Sequence, residues 1–545
     1  MMKIVIIGSV AAGTSVAAKA RRNDEKASIT IYEKDQDISY SGCGLPYYIG
    51  EEYIGRDNLT PRTDKWFEKR FNMTLKTGHE VVSIHREEKK LVVKNLATGE
   101  EFEDSYDKLV IATGATPSVP PVKGIDGDNV FTLRNVRSAD KIVEYIAENS
   151  PKKAVIVGAG YIGLELLENL ENVGIKTTVI EREDRAMSKM DRDMSVYLED
   201  YLSKKGVDII LNEEVTEIGK KSVVTKSGKV IETDFVVVCT GVKPNSKLAV
   251  EAGTEVYPNG AVKVNHKLET SEKDIYAVGD VAMAWSLING EPMYVPLGST
   301  ANKMGRICGD VITGGNLRFK GILGTGIFKV FDMAVAQTGM TQEQAVERGY
   351  DVETVHNIKP NQTAYFESSR EMVIKAVADR RSGKLLGVQI LGENGVDKRM
   401  DVFVALMSTG ATVDEFFHMD FAYAPPYSTT KDPVMYTGMI LENAIYGKNK
   451  IMTVDRLVAE RDEYTVIDVR APKQYEAAHI PGALNIPLSE LREKAPELDK
   501  DKKYVVHCNK GVTGNAAHNV MLNFGYDCYN LSGGYKNYSV QTKKR

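Results

Sequence analysis

One stretch of the chain limits the fold more than any other: KAVIVGAGYIGLELLENLENVGIKTTVIER, over residues 153–182. An apolar run leads into Gly158, Gly160 and Gly163, and Glu181 closes the next apolar run. Three glycines at this spacing, between a strand and a helix, let a pyrophosphate approach the backbone and the helix N-terminus. The stretch therefore predicts a βαβ unit that binds a dinucleotide.

The acid at the end of this unit bears on the choice of nicotinamide cofactor. Glu181 can accept hydrogen bonds from the adenosine ribose, and its carboxylate would repel a 2′-phosphate. We therefore expect NADH to be preferred. Arg182 follows directly in the sequence and keeps NADPH open as an alternative.

The N-terminus carries a second, less complete version of the same pattern. The apolar run KIVII is followed by Gly8 and Gly13, and the next apolar run, SITIYEK, contains Glu33. Val10 occupies the position of the middle glycine, so this match alone would be weak. Two such units in one chain amount to an internal repeat.

Three later segments extend the repeat. In KLVIATGATP and in FVVVCTGVKP, an apolar run ends in Thr-Gly. In DIYAVGDVA, an apolar run is followed by a Gly-Asp pair. These elements, in this order, resemble the flavoprotein disulfide reductases with two dinucleotide-binding domains, over roughly residues 1–445. The resemblance implies an α/β fold that binds FAD in the first unit and NADH or NADPH in the second. The implied FAD residues are Gly8, Ala12, Gly13, Glu33, Thr113, Gly114, Gly279 and Asp280, and the implied nicotinamide-nucleotide residues are Gly158, Gly160, Gly163 and Glu181.

A single cysteine, Cys43, lies in the segment SYSGCGLPYYIG. A lone cysteine is usually a small buried residue, an interpretation that suits Cys239 and Cys308 in their apolar surroundings. Cys43 instead has glycine, serine and tyrosine neighbours, in a turn that opens a helix, where a thiol pKa is expected to be lowered. The next cysteine is Cys239, so Cys43 has no local disulfide partner. Its chemistry would be a mixed disulfide with a substrate or a sulfenic acid.

Within the family, this segment resembles the single-cysteine members, and its Leu-Pro-Tyr continuation resembles the coenzyme A-disulfide and persulfide reductases. The segment FAYAPPYSTTKDPV resembles the dimerisation-domain signature of that subgroup. The resemblance implies a homodimer in which Tyr365 and Tyr423 reach toward Cys43 of the partner subunit. Gly42 departs from the asparagine that is usual in the subgroup. The implied coenzyme A residues are Ser15, Lys19, Arg22, Ser39 and Lys431.

The C-terminal part of the chain contains a second sulfur site. The segments DVR and HIPGA are followed by an apolar strand, Cys508, the loop CNKGVTG and a helix rich in small residues, which resembles a rhodanese sulfurtransferase domain. Successive N–H groups of such a loop can surround a thiolate or a persulfide. Thr513 stands near the loop end, where the family often has arginine, and Lys510 is the loop's cation.

These assignments divide the chain into several domains. The predicted boundaries are 1–115 with 246–320 for the FAD-binding domain, 116–245 for the NAD(P)H-binding domain, 321–445 for the α/β dimerisation domain, 446–452 for a linker and 453–545 for the rhodanese domain.

Composition excludes several kinds of partner. The formal charge of −5 argues against binding to nucleic acid or to an anionic membrane. No apolar run reaches about 18 residues, so no membrane-spanning helix is expected. The five cysteines form no Cys-x-x-Cys pair, so no metal site is predicted. Few cysteines in a long chain suit a reducing cytoplasm.

Taken together, the sequence predicts an FAD-dependent enzyme that passes electrons from NAD(P)H to Cys43. The substrate would be coenzyme A persulfide, polysulfide or coenzyme A disulfide, and the product would be hydrosulfide or a thiol. A sulfurtransferase domain would be fused at the C-terminal end of this reductase. The alternatives are an NADH oxidase or peroxidase that uses a Cys43 sulfenic acid, and a sulfur-trafficking protein with a redox-sensing flavin half.

Overall fold

The computed structural model describes residues 1–50 and 54–543, which divide into two compact units. The first unit comprises Met1–Asp184 and Asp208–Gly324, and the second comprises Arg185–Val207 and Thr325–Arg545. Residues 185–207, which the predicted boundaries place in the NAD(P)H-binding domain, thus belong to the C-terminal unit.

The first unit is built on two parallel sheets of five strands. Continuous Val- and Ile-rich runs form the central strands because both faces of a parallel sheet are buried. In spatial order, the first sheet contains Ile275–Ala277, Lys108–Ile111, Lys3–Ile7, Ser28–Tyr32 and Thr74–Lys76. The second contains Asp208–Ile210, Lys176–Ile180, Lys153–Val157, Phe235–Val238 and Val130–Thr132.

Parallel pairing brings each predicted glycine turn to the carboxyl end of a central strand. Lys3 is paired with Ser28 in the first sheet, and Lys153 with Lys176 in the second. Ile275–Ala277 pairs with Lys108–Ile111, so the segment after residue 245 completes the first sheet. Both sheets therefore have the topology on which dinucleotides bind at strand ends.

Smaller sheets and helices surround these two sheets. The antiparallel strands are His79–His85, Lys90–Asn95 and Glu101–Ser105, then Val215–Ile218, Ser222–Thr225 and Val230–Glu232, and the pairs Ala115–Pro117 with Val242–Pro244 and Ala284–Trp285 with Pro292–Met293. The helices are Ala12–Asn23, Leu45–Ile49, Arg56–Leu59, Asp64–Phe71, Val136–Asn149, Tyr161–Asn172, Lys247–Glu251 and Gly298–Val311, with 3₁₀ turns at Gly42–Gly44 and Gly279–Val281.

The second unit contains an antiparallel sheet whose central strands are almost completely buried. Its spatial order is Gly326–Val330, Met333–Gly339, Leu385–Gly392, Glu371–Asp379 and Val352–Pro360. The helices around it are Arg192–Lys204, Gln342–Glu347, Val396–Thr409 and Pro433–Ile445, with a 3₁₀ helix at Val413–His418. Arg399 is buried and donates to the Asp432 carboxylate at 2.9 Å, which fixes the segment leading into Pro433–Ile445.

The same unit contains a parallel sheet that ends the chain. Its order is Ile451–Met452, Asp527–Leu531, Lys503–His507, Tyr464–Asp468 and Leu484–Asn485. The helices are Val454–Ala459, Pro472–Ala477, Leu488–Lys494, Val512–Asn523 and Gly534–Gln541, with 3₁₀ turns at Arg461–Glu463 and Ala495–Glu497. Ile451–Met452 pairs with Asp527–Leu531, so the C-terminal sheet begins at residue 451.

Among the helices that the structure describes, none is long and apolar enough to cross a membrane.

Candidate functional site

The first glycine turn forms a tight cradle despite Val10. Gly8 has φ +106°, and a Cβ added there would lie 2.3 Å from the Ala112 carbonyl oxygen. A Cβ on Gly13 would lie 1.9 Å from the Gly8 oxygen, so the helix can approach the strand only at glycine. The buried Glu33 carboxylate accepts from the Ser9 N–H at 2.8 Å and from its hydroxyl at 3.0 Å. These residues fit the adenosine and pyrophosphate of a dinucleotide.

The other predicted FAD residues lie in the same unit. Thr113 Oγ1 donates to the Asn245 oxygen at 2.7 Å, which links the first Thr-Gly turn to the segment that leads back to the first sheet. Asp280 accepts from Arg134 Nη2 at 2.7 Å. Sequence reasoning did not identify Arg134, which follows the edge strand of the second sheet and carries no motif of its own.

The second glycine turn repeats this geometry. The Ala159 N–H donates to Glu181 Oε2 at 2.7 Å, and a Cβ on Gly163 would lie 2.1 Å from the Gly158 oxygen. The Arg182 guanidinium is exposed and pairs with Glu183 at 2.8 Å. Because Arg182 is already paired, the acid at position 181 sets the charge next to the ribose site, which favours NADH.

Replacing Glu181 by alanine is expected to shift the cofactor preference toward NADPH. Removing the carboxylate ends its repulsion of a 2′-phosphate, so the NADPH-to-NADH ratio of kcat/KM should rise about tenfold or more. Steady-state kinetics with both cofactors measure this ratio. Glu148→Gln, an exposed change on the helix Val136–Asn149, serves as the control for a general loss of charge, and an unchanged ratio in Glu181→Ala would refute the assignment.

Cys43 differs from the three cysteines in apolar surroundings. It is exposed and lies in the 3₁₀ turn Gly42–Gly44, immediately before the helix Leu45–Ile49. Burial raises the pKa of Cys239 and of Cys528 to about 12, and Cys308 is fully buried. These three thiols are therefore poor nucleophiles, as expected for packing residues.

The pKa of Cys43 is raised, whereas the sequence suggested that it would be lowered. Surrounding protein atoms desolvate the thiol although its surface is partly open, and the carboxylates of Glu165 and Asp280 raise its pKa further. Arg134 opposes these effects. The helix that follows has only five residues, so it offers a small dipole against two carboxylates.

Glu165 is a second residue that sequence reasoning missed. It lies on the helix Tyr161–Asn172, against which the helix Leu45–Ile49 packs. The Tyr47 hydroxyl is 3.5 Å from Glu165 Oε1, and burial raises the pKa of this carboxyl to about 7. Its position two residues after Gly163 of the fingerprint was the available signal.

Replacing Glu165 by glutamine is expected to make Cys43 more reactive toward iodoacetamide in cofactor-free protein at pH 8. The carboxyl is mostly ionised at that pH and disfavours the thiolate, so its removal lowers the pKa of Cys43. Glutamine keeps an acceptor for the Tyr47 hydroxyl. Alkylation rates at Cys43, followed by mass spectrometry, should rise severalfold, whereas Glu148→Gln, an exposed change, should have no effect. An equal or lower rate in Glu165→Gln would contradict this electrostatic account.

A cavity of about 530 Å³ collects four of the five predicted coenzyme A residues. Ser15, Lys19, Arg22 and Ser39 line it. Lys19 pairs with Asp310 at 3.0 Å, and the Ser15 hydroxyl is 2.6 Å from Asn302 Oδ1, so these two have partners within the protein.

Sequence reasoning missed two arginines of this cavity, Arg62 and Arg306. The Arg22 guanidinium lies 5.6 Å from the centre of the Phe71 ring, and Arg62 lies 4.8 Å from that of Trp66. Three guanidinium groups, two of them beside aromatic rings, suit a ligand that carries phosphates.

The remaining predicted residues of this centre lie in the C-terminal unit. Tyr365, Tyr423 and Lys431 are all exposed. An exposed phenol hydroxyl is available to a partner subunit or a ligand, so the predicted role of the two tyrosines remains a prediction.

Cys508 is 6% exposed and begins a loop that turns back on its sulfur. The Gly511 N–H donates to Cys508 Sγ at 3.2 Å, and Gly511 has φ +100°, a conformation that favours glycine. The helix Val512–Asn523 that follows has no side-chain cap, so its first N–H groups are not taken by a capping side chain. This arrangement can stabilise a sulfur anion.

The rhodanese-like motif DVR has structural partners. Within the segment DVR, the Arg470 guanidinium donates to the buried Asp468 carboxylate at 2.6 Å and to the Ala478 oxygen at 2.7 Å.

Across residues 1–50 and 54–543, no group of three or more His, Cys, Asp or Glu residues is arranged to hold a metal ion.

Comparison with known proteins agrees with this geometry. Residues 2–305 match the pyridine nucleotide-disulphide oxidoreductase family, residues 326–433 match its dimerisation domain, and residues 453–541 match the rhodanese-like domain. A coenzyme A disulfide reductase of Staphylococcus haemolyticus is 37% identical over 439 residues, which are 80% of this chain and 99% of that protein.

Two solved structures match nearly the whole chain. Reduced CoADR-RHD of Bacillus anthracis is 37% identical with a TM-score of 0.96, covering 99% of this chain and 98% of that one. A NAD-dependent persulfide reductase of A. fulgidus is 36% identical with a TM-score of 0.92, covering 98% of this chain and 100% of that one. The predicted fold class and enzyme class are confirmed. The chain belongs to the pyridine nucleotide-disulphide oxidoreductase family, whose members use FAD and NADH, and it carries a C-terminal rhodanese-like domain.

Proposed function

We propose that this chain is an FAD-dependent NADH reductase of coenzyme A persulfide, polysulfide or coenzyme A disulfide, with a fused sulfurtransferase domain. One observation carries the proposal. The segment that bears the lone exposed thiol, Cys43, also supplies Ser39 to the arginine-lined cavity. A thiol nucleophile next to a phosphate-binding cavity suits a sulfur substrate attached to a phosphorylated carrier. The relatives named coenzyme A disulfide reductase and persulfide reductase support this choice.

The two glycine turns would hold the cofactors. Glu33 and Asp280 in the first site would bind the ribose and the ribityl chain of FAD, and Glu181 in the second would bind the ribose of NADH. FAD, when bound, supplies at Cys43 the electron pair that NADH provides.

Cys43 performs the sulfur chemistry. Its thiolate attacks the inner sulfur of coenzyme A persulfide, a Cys43–coenzyme A disulfide bond forms, the persulfide S–S bond breaks, and hydrosulfide leaves. Two electrons and a proton then convert this mixed disulfide into the Cys43 thiolate and free coenzyme A. With coenzyme A disulfide, the first leaving group is the coenzyme A thiolate.

The side chains around Cys43 control the proton. Arg134 favours the thiolate, whereas Glu165, whose pKa is about 7, changes its protonation near neutral pH. When Glu165 is protonated, it no longer disfavours the Cys43 thiolate. Arg22, Arg62 and Arg306 orient the carrier through its phosphates.

We further propose a homodimer, in which the dimerisation domain brings Tyr365 and Tyr423 to Cys43 of the partner subunit. Their phenol groups would protonate the leaving thiolate. Lys431 would add a cation to the coenzyme A site.

All five cysteines are free, which supports placement in the reducing cytoplasm.

Anaerobic NADH oxidation by the purified protein tests this function. Coenzyme A persulfide and coenzyme A disulfide are compared while released sulfide is quantified. Fast persulfide turnover with stoichiometric sulfide supports a persulfide reductase. Fast disulfide turnover without a persulfide preference supports a coenzyme A disulfide reductase. Rapid NADH consumption with oxygen or peroxide, but with neither sulfur substrate, would instead indicate an oxidase or peroxidase.

A further inference from the structure

The Cys508 loop is bound to the edge of the antiparallel sheet within the C-terminal unit. The Cys508 and Asn509 oxygens accept from the N–H groups of Tyr535 and Lys536 at 2.8 and 2.9 Å. Three residues before Tyr535, Ser532 Oγ accepts a hydrogen bond from the His356 N–H at 2.7 Å. His356 lies on the edge strand Val352–Pro360. These hydrogen bonds connect the Cys508 loop, by way of the segment 532–536, to the edge strand Val352–Pro360.

The cation of the loop is already paired. Glu371, on the strand next to the edge strand, forms ion pairs with both Lys510 and Lys536. Although burial raises the pKa of Glu371, these two ammonium groups lower it overall, so the carboxylate stays charged at neutral pH. Lys510 is the only cation within the loop CNKGVTG, and its ammonium is paired with Glu371.

A different lysine lies at the end of the sheet where Glu371 binds Lys510. Pro360 is the register partner of Glu371, which places Lys359 at the same end of the sheet as the ion pairs. Lys359 is half-buried, its ammonium lies 3.5 Å from the centre of the Tyr436 ring, and it contacts no carboxylate among residues 1–50 and 54–543. Burial lowers its pKa, Lys510 and Lys431 lower it further, and Cys508 opposes them. A partly desolvated ammonium without a counter-ion is stabilised when an anion binds.

We propose that Lys359, from the dimerisation domain, is the anion-binding residue of the Cys508 centre, and that Glu371 holds Lys510 out of this role. The ligand is an anionic sulfane-sulfur compound, whose charge lies either on the transferred sulfur group or on the phosphates of a carrier. This inference rests on the proposed sulfurtransferase function. It assigns the rhodanese-like domain an active site that the dimerisation domain completes.

The sulfur transfer balances for both kinds of donor. With thiosulfate, the Cys508 thiolate attacks the outer sulfur, a Cys508 S–S bond forms, the thiosulfate S–S bond breaks, and sulfite leaves with its electron pair. With coenzyme A persulfide, the same attack on the outer sulfur releases the coenzyme A thiolate. In either case a Cys508 persulfide remains, and no oxidant or reductant is consumed.

The test measures sulfur uptake by Cys508 in the full-length protein without NADH, so that reduction at Cys43 does not contribute. Thiosulfate, coenzyme A persulfide and pantetheine persulfide are the donors, and intact-protein mass spectrometry follows the added sulfur, with Cys508→Ser as the blank. Lys359→Gln should lower the uptake rate constant about tenfold to a hundredfold with an affected donor, since a charge-assisted hydrogen bond contributes this much. Lys359→Arg should restore most of the rate. Lys473→Gln, an exposed change on the C-terminal domain, is the matched control.

Comparing the three sulfur donors shows which negative charge of the ligand Lys359 binds. A loss with all three donors places the charge on the transferred group, and a loss with coenzyme A persulfide alone places it on the carrier phosphates. Both results support the proposal. An unchanged rate in Lys359→Gln, or an equal loss in Lys359→Arg with a lower melting temperature, overturns it. A wild-type protein that takes up no sulfur from any donor refutes the sulfurtransferase function and this inference with it. NADH oxidation at Cys43 is tested separately.

Glu371→Gln tests the second half of the proposal. Releasing Lys510 adds a cation beside Cys508, so uptake from thiosulfate should rise severalfold. A fall, with no change in melting temperature, would show that Glu371 does not hold Lys510 out of the site.

Discussion

Replacing Cys43 by serine is expected to lower NADH-dependent reduction of coenzyme A persulfide and of coenzyme A disulfide by about a thousandfold or more. A hydroxyl cannot form the disulfide bond with the substrate, and losses of this size are typical when a covalent nucleophile is removed. Cys43 is exposed in a short turn, so serine should leave the fold and the two glycine turns intact. Anaerobic NADH oxidation measures the loss, and the visible spectrum of bound flavin reports whether the first site is retained.

The matched control is Cys239→Ala, which removes a thiol whose pKa burial raises to about 12. It should keep most of the activity, because that thiol does not ionise at neutral pH. If Cys43→Ser retained more than a tenth of the wild-type rate with bound flavin, the sulfur chemistry would not run through Cys43.

Replacing Cys508 by serine is expected to separate the two activities. Sulfur uptake without NADH should disappear, a loss of about a thousandfold or more, because no persulfide forms on a hydroxyl. Serine still accepts the Gly511 N–H, so the loop should keep its conformation. Reduction of coenzyme A disulfide by NADH should stay within twofold of wild type, because that reaction needs only Cys43.

A loss of NADH-dependent disulfide reduction in Cys508→Ser would contradict this division of labour. It would mean that the sulfur of the C-terminal domain takes part in the reductase cycle. Measuring the melting temperature of the variant excludes unfolding as the cause, and Cys528→Ala provides a comparison with a buried cysteine of the same domain.

Much of this protein was predictable from short segments because the signals are local. A glycine turn, a helix and an acid at a strand end are specified within about thirty residues, so the sequence predicts two dinucleotide sites. The predicted family was confirmed. Cys508 was found in the same way, since its loop and helix adjoin it in the chain. Even Val10, an exception to the glycine pattern, did not change the cradle, because Gly8 and Gly13 make the close approaches.

The properties of the two thiols depended on residues far away in the chain. The pKa of Cys43 was expected to be lowered, but Glu165 and Asp280 raise it, and Arg134 opposes them. All three are more than ninety positions away from Cys43 in the sequence. The pairing of Lys510 with Glu371 likewise joins residues 139 positions apart.

The reason is physical. Backbone conformation at a turn is governed by sterics among neighbouring residues, so a motif specifies it. A thiol's charge state is governed by desolvation and by every charge within a few ångströms, and those groups are brought together only by the fold. The sequence therefore predicts Cys43 and Cys508 as the reactive thiols, and the tertiary structure decided which charges surround each of them.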